Sequence, residues 1–333
     1  MSIKVLSKQE SSVIAAGEVV ERPASIVKEL VENSIDSGAD TILIHIESGG
    51  IKAIAVSDNG SGIASNDVEL AFHRFATSKY PENGDLFNIE TLGFRGEALP
   101  SIASVASIRM VTRVVDERNG TSVHMDNGNL IEVLSTGCPL GTTVTVTNLF
   151  ARIPARLKFL KSPSVESQRI YSLVQQLSMA FPLVRFRFDV DGKIRLNTRG
   201  NGDLRNTYAE IFDPKTANSM MVVESGDDLG YAAIHGLISS PDTTRSNRNF
   251  INLVVNGRCI QNRSLAFAVE DAYKGFLTVG RHPLSFLFID VPKEDLDFNV
   301  HPAKVEIRLK DERQVFSSIQ RLIRNSLISM SPV

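Results

Sequence analysis

Between Pro23 and Asp36 apolar residues recur at the spacing of one helical face. At about 100° per residue, Ile26, Val27, Leu30, Val31 and Ile35 fill one contiguous half of the wheel. Glu29, Asn33 and Asp36 form a narrow polar stripe along the border of that half. Upstream, residues 7–10 have the Ser-x-x-Glu spacing of a capping box before "SSVIAAGEVV", and Pro23 suits the first turn of the striped helix. The start of the chain therefore reads as mostly helical.

The period then changes from 3.6 to 2. "TILIHIES" and "KAIAVSDNG", followed beyond a Gly-rich polar interval by "ASIRMVTRVV", "SVHMDNGNLIEVL" and "TTVTVTNLF", are short alternating runs with turn signals such as Asn127-Gly128. They predict a largely antiparallel sheet with helices on one face. "SQRIYSLVQQLSMAF" follows as a helix and "VRFRFDVDGKIRL" as a hairpin turning at Asp191-Gly192. Residues 197–206, "NTRGNGDLRN", break every periodicity and are the expected linker between domains of residues 1–200 and 206–333. Beyond it, "YAAIHGLIS", "NFINLVVNGRCI", the helix "RSLAFAVEDAYKGF" and "PLSFLFIDV" run strand, strand, helix, strand. The last three predict a right-handed βαβ crossover, and the amphipathic "ERQVFSSIQRLIRNSL" closes a smaller α/β domain. No repeat or low-complexity tract interrupts this order.

Composition narrows the class without changing this layout. The 333 residues are 42% hydrophobic and 22% charged, ordinary for a globular protein of two domains. No apolar run approaches the roughly 18 residues of a membrane span, and "MSIKVLSKQESS" lacks a secretory h-region. A cytoplasmic protein without a membrane partner is expected. Two cysteines, Cys138 and Cys259, and scattered histidines predict neither a disulfide framework nor a zinc site. The net charge of −2 confines any nucleic-acid contact to a local patch.

Glu29 and Asn33 lie one turn apart on the same side of their helix. At a sheltered edge such a pair can accept a proton from water and offer a neutral oxygen to a hard cation such as Mg2+, although alone it is more often a solvated face. Asp58-Asn59-Gly60-Ser61-Gly62 follows a strand, so a carboxylate able to accept from an exocyclic amine stands beside two glycines that permit close approach, or simply forms a turn. In "LGFRGEALPSIASVA", Gly93 and Gly96 precede a helical run and Arg95 is near, which suits a phosphate cradle. The preceding polar "ATSKYPENGDLFNIE" has the composition of a lid. Its Thr77, Ser78 and Lys79 can bond phosphate. In "GTTVTV", residues 141–146, alternate threonines are most simply one face of a strand.

"ELVENSIDSGA", "DNGSGI", "GFRGEAL" and "GTTV", in this order, resemble the nucleotide-binding signatures of the GHKL ATPase superfamily. "IAAGEVVERPASIVKELVENSIDSGA", "FHRFATSK" and "TLGFRGEALPSIASV" look like the MutL family of mismatch-repair proteins. "VNGR" and "FNVHPAKVEIRL" extend that resemblance over nearly the whole chain. The resemblance implies an α+β fold, a GHKL (Bergerat) ATP-binding α/β sandwich followed by the smaller α/β domain, and a slow, Mg2+-dependent ATPase.

By the same resemblance Glu29 is the general base, Asn33 the Mg2+ ligand and Asp58 the adenine contact, supported by Thr143. Gly60 and Gly62 wrap the nucleotide together with Gly93, Phe94, Arg95, Gly96, Glu97, Ala98 and Leu99, while Thr77, Ser78 and Lys79 belong to a lid spanning about residues 74–99. Lys304 in "NVHPAK" is the lysine of the second domain that reaches the γ-phosphate. ATP binding is expected to order the lid and an N-terminal arm of about residues 1–20, clamping two copies together. The implied partners are a second copy, DNA, a mismatch-recognition protein and downstream repair enzymes, with a nucleoid association if the source is bacterial.

DNA contact is expected around Arg245, Arg248, Arg258 and Arg263, of which Arg263 matches a DNA-contact arginine of the family. From Asn206 onward there are 14 Lys+Arg against 15 Asp+Glu, so such binding would be local, non-specific and salt-sensitive. A topoisomerase-type ATPase subunit and a nucleotide-independent scaffold are the alternatives. A histidine kinase is disfavoured because the motifs begin at the first residues. MutL proteins usually continue into a dimerising domain, so the chain reads as an N-terminal fragment, and any endonuclease chemistry of that domain lies beyond it.

Overall fold

The computed structural model describes residues 19–79, 91–93, 96–226, 231–297 and 307–330. Contacts divide the chain into two compact units, the first reaching Gln175 and taking in Leu183–Asn201, the second built from Gln176–Pro182 and Gly202 onward.

In the first unit α1 (Pro23–Asp36) starts with Pro23 at its first turn, where a missing N–H costs nothing. It buries Ile26, Val27, Leu30 and Val31 against β1 (Thr41–Glu47) and β2 (Ala53–Asp58). Two polar residues are also buried on it, Ser34 and Glu32, the latter paired with Lys28 at 2.7 Å. The wheel alone does not show them.

Beyond α2 (Ala98–Ala103) come β3 (Ser107–Arg113), β4 (Gly120–Asp126), β5 (Asn129–Thr136) and β6 (Gly141–Thr147). Then follow α3 (Pro154–Phe159), α4 (Pro163–Ala180), β7 (Arg185–Val190) and β8 (Lys193–Asn197). The strands form one eight-stranded sheet in the order β5-β4-β3-β6-β2-β1-β7-β8. Every pairing is antiparallel except β1 with β7, so the sheet is mixed. The two sharp hairpins follow from local chemistry: Asn127-Gly128 and Asp191-Gly192 both take positive φ, which glycine adopts freely and Asn or Asp tolerates.

Register assigns the faces. Met110 pairs Val144, Val144 pairs Val56, Val56 pairs Ile44 and Ile44 pairs Phe188, a buried line across five strands. Strand side chains alternate with period 2, so Asp58 projects on the same face as Ile54 and Val56. That is the face covered by α1.

In the second unit α5 (Leu204–Ile211) is capped by Asp203 and α6 (Pro214–Asn218) by Asp213, each carboxylate accepting an N–H of the first turn. Residues 197–206 are thus not wholly a linker. Asn197 ends β8, and the cap at Asp203 draws residues 204–206 into a helix.

Strands β9 (Met220–Glu224), β10 (Ala233–Ser239), β12 (Ile251–Val255), β13 (Arg258–Ile260) and β15 (Ser285–Asp290) form a five-stranded sheet, β13-β12-β15-β10-β9. Two-residue ladders join β11 (Thr244–Arg245) to β14 (His282–Pro283) and β16 (Leu296–Asp297) to β17 (Arg308–Leu309). Strands β12 and β15 are parallel, as a crossover through α7 (Arg263–Ala272) requires. Helix α8 (Glu312–Met330) packs on α7, and Leu265, Val269, Val315, Ile319 and Ile323 share a core with Ile234, Leu253 and Leu287. The described part of the chain is therefore α+β. No helix among the described residues is long and apolar enough to cross a membrane.

Candidate functional site

The carboxylate of Asp58, at the end of β2, is surrounded by donors. Its Oδ2 lies 2.8 Å from the Ser34 hydroxyl on α1, while its Oδ1 accepts the N–H of Gly60 at 2.9 Å and of Thr142 at 3.2 Å. An ionised carboxylate offers about four lone-pair sites. Three are filled from within the chain, which fixes the group and leaves room for one further donor.

The floor beside it is backbone. Gly62 has φ 74°, and a Cβ there would run into the carbonyl of Arg113. A Cβ on Gly60 would meet the Ser37 hydroxyl, and one on Gly141, at φ 105°, the carbonyl of Asp58. Thr112, fully buried, secures this loop from β3: its hydroxyl accepts the Ile63 N–H at 2.9 Å and lies 2.9 Å from that of Thr142.

Thr143 lies on β6 one residue beyond the threonine whose N–H reaches Asp58. It pairs with Ser57, whose hydroxyl is 2.9 Å away, and alternation sends both to the sheet face opposite Asp58. The threonine beside Asp58 is Thr142. "GTTV" carries two adjacent threonines, and only the register with β2 decides which one turns inward.

The polar stripe of α1 is sheltered. The Glu29 side chain is 19% exposed, with one oxygen 3.8 Å from Lys28 Nζ. Lys79 Nζ donates to Asn33 Oδ1 at 2.8 Å and to Asp36 Oδ2 at 2.5 Å. Asp36, whose side chain is only 4% exposed, also accepts the N–H of Leu92 at 2.8 Å and of Gly93 at 3.0 Å. Gly93 stands beside Asn33, where a Cβ would sit 3.5 Å from Oδ1. Within the lid motif, the Thr77 hydroxyl accepts the Lys79 N–H at 3.1 Å and Ser78 is exposed. Gly96, at φ 60°, returns a carbonyl to the Phe75 N–H, and Glu97 precedes α2, which begins with Ala98 and Leu99.

Asp58, Gly60 and Gly62 thus gather at one end of α1, and Asn33, Lys79 and Gly93 meet on its stripe. Phe94, Arg95, Lys304 and most of the N-terminal arm lie outside the described residues, so their assignments rest on the resemblance. Ser34, Asp36, Thr112 and Thr142 are bonded to Asp58, to Lys79 or to one another, and the motif reading assigned none of them a role. Their signal was present for Asp36, which shares the stripe with Glu29 and Asn33.

The arginines of the second unit separate by environment. Arg263 is exposed at the first turn of α7. Arg258 is buried in β13, which removes it from the expected patch, because a strand position facing the core is closed to a large anion. Arg248 is paired with Glu270 at 2.9 Å, and Arg245 lies over the Phe250 ring.

Residues 21–132 match the family described as histidine kinase-, DNA gyrase B- and HSP90-like ATPase, and residues 208–328 match the C-terminal domain of DNA mismatch repair protein. The DNA mismatch repair protein MutL of Shouchella clausii is 44% identical over 98% of this chain, and that of Streptococcus pneumoniae serotype 19F 46% identical over 94%. The chain spans about half the length of these relatives, 49% and 48%. A crystal structure of the N-terminal domain of a DNA repair protein superposes with a TM-score of 0.82 at 26% identity, covering 96% of this chain and 98% of that one. The Aquifex aeolicus MutL ATPase domain complexed with ADP shares the fold, with a TM-score of 0.68 at 23% identity over 95% of this chain and all of its own.

Proposed function

The chain belongs to the MutL family of DNA mismatch-repair proteins, and from that membership we propose that it binds ATP with Mg2+ along the polar edge of α1, hydrolyses it slowly, and serves as a nucleotide-driven switch in mismatch repair. The observation that carries this reading is Asp58, a carboxylate held by Ser34, Gly60 and Thr142 with one acceptor site to spare above a floor that only glycine permits. An adenine amino group is the donor that suits it.

From there the triphosphate runs along the stripe. Asn33 offers a neutral amide oxygen that already accepts from the Lys79 ammonium, so it fits a hard cation. Bound there, Mg2+ would offset phosphate charge and orient the terminal phosphate. Glu29 accepts the proton of the attacking water, its partial shelter keeping the carboxylate close to the reacting atoms instead of pairing it fully with solvent. Lys79, with Thr77 and Ser78, faces phosphate oxygens from the lid motif, and the backbone of residues 93–99 wraps them. Lys304 senses the terminal phosphate.

The switch consists of dimerisation through the N-terminal region on ATP binding and release after hydrolysis. It connects a mismatch-recognition protein to downstream repair enzymes, in the cytoplasm and on the nucleoid if bacterial, with Arg263 in a non-specific DNA contact. Calorimetry with an uncleavable ATP analogue and Mg2+, combined with light scattering, tests both halves. One analogue per chain and a doubled mass are expected. Failure to bind removes the ATP reading, whereas binding at constant mass removes the clamp.

A further inference from the structure

One carboxylate gathers three groups that are distant in sequence. Asp36 accepts the Lys79 ammonium from 43 residues away and the N–H groups of Leu92 and Gly93 from 56 and 57 residues away. The same ammonium rests on Asn33 Oδ1, the oxygen read above as the metal ligand. An ammonium has three donors, and two of them are spent on Asp36 and Asn33.

We infer that Asp36 is a positioning residue of the nucleotide site and that it acts through Lys79. It holds the ammonium beside Asn33, and would keep hold of it were the Asn33 oxygen to turn to a metal-bound nucleotide, the freed donor then turning to phosphate. The inference rests on the ATP-binding reading and adds to it a residue and an order of contacts. Two features argue against a plain surface ion pair. The Asp36 side chain is 4% exposed, and burying a charge merely to fasten a loop is a poor use of it when apolar packing fastens as well. Moreover, the cation is shared with an uncharged amide one turn back along the helix, a partner that adds little to an ion pair but marks the point at which a competing cation would arrive.

The test is a double-mutant cycle on the affinity of the 333-residue chain for an uncleavable ATP analogue with Mg2+, measured calorimetrically well below each variant's melting temperature. Asp36→Asn and Lys79→Met should each weaken binding at least about five-fold, and the double variant should be no more than about two-fold weaker than the poorer single one. Lys79→Arg should recover part of the loss. Losses that multiply in the double variant, or wild-type affinity in Lys79→Met, overturn the inference. If Asp36→Asn does not fold, Asp36→Glu replaces it, with the same coupling to Lys79→Met expected. An unmodified chain that fails to bind the analogue would instead overturn the ATP reading, and this inference with it.

Discussion

Ser34 on α1 and Asp58 at the end of β2 are joined by a 2.8 Å hydrogen bond across 24 residues of sequence. The bond links the helix that carries Glu29 and Asn33 to the strand end that carries the proposed adenine contact. Any shift of the helix along the sheet would therefore move both halves of the site together.

The first prediction concerns that carboxylate. Asp58→Ala leaves the Gly60 and Thr142 N–H groups and the Ser34 hydroxyl without their acceptor and removes the adenine partner. Loss of a charged hydrogen-bonding group costs about 1.5–3 kcal/mol, so nucleotide affinity should fall at least about ten-fold. A fluorescent nucleotide titration that returned wild-type affinity would remove Asp58 from the site.

For Glu29 a separation of binding from turnover is expected. Glu29→Ala should hold the ATP analogue within about three-fold of the unmodified chain while hydrolysis falls by about two orders of magnitude or more, the usual worth of a general base. Phosphate release and equilibrium binding, measured on the same preparation, decide it. Unchanged hydrolysis would remove Glu29 from its role.

Gly62→Ala combines a positive φ with a collision between the new Cβ and the Arg113 carbonyl. The backbone conformation alone costs about 1–2 kcal/mol, and relieving the clash must displace the loop that follows Asp58. Thermal unfolding of the first unit should fall by several degrees and nucleotide affinity should fall with it. Gly192→Ala, also at positive φ but with open space around it, should show only the backbone cost and no loss of affinity.

Burial pushes the hydroxyl of Tyr208 up to about 12, opposed by Arg245 and aided by Asp213. The folded state thus keeps a proton that the unfolded chain releases near pH 10.0. The contribution of this group is complete below that value and is lost as pH rises toward 12, by at most ~2–3 kcal/mol. Tyr208→Phe should flatten that part of the decline in a urea unfolding series from pH 9 to 12. A slope equal to that of the unmodified chain would show that the ring ionises as freely folded as unfolded.

The sequence alone determined what depends on local period and turn chemistry. Apolar spacing of 3.6 made α1, with its polar stripe at the edge of the core; alternation made the strands; Asn127-Gly128 and Asp191-Gly192 made the hairpins, because few other residues take positive φ cheaply. The motif order likewise placed the chain in its family.

Tertiary structure decided what depends on register and on contacts between distant segments. The parallel pairing of β1 with β7 spans about 144 residues and leaves no local trace. Thr142 instead of Thr143 faces Asp58 because pairing with β2 fixes which of two adjacent residues points inward, and a slip of one residue would exchange them. Asp36 gains its partners only when residues 43 to 57 positions away return to the same helix turn, a closure that no window of sequence contains.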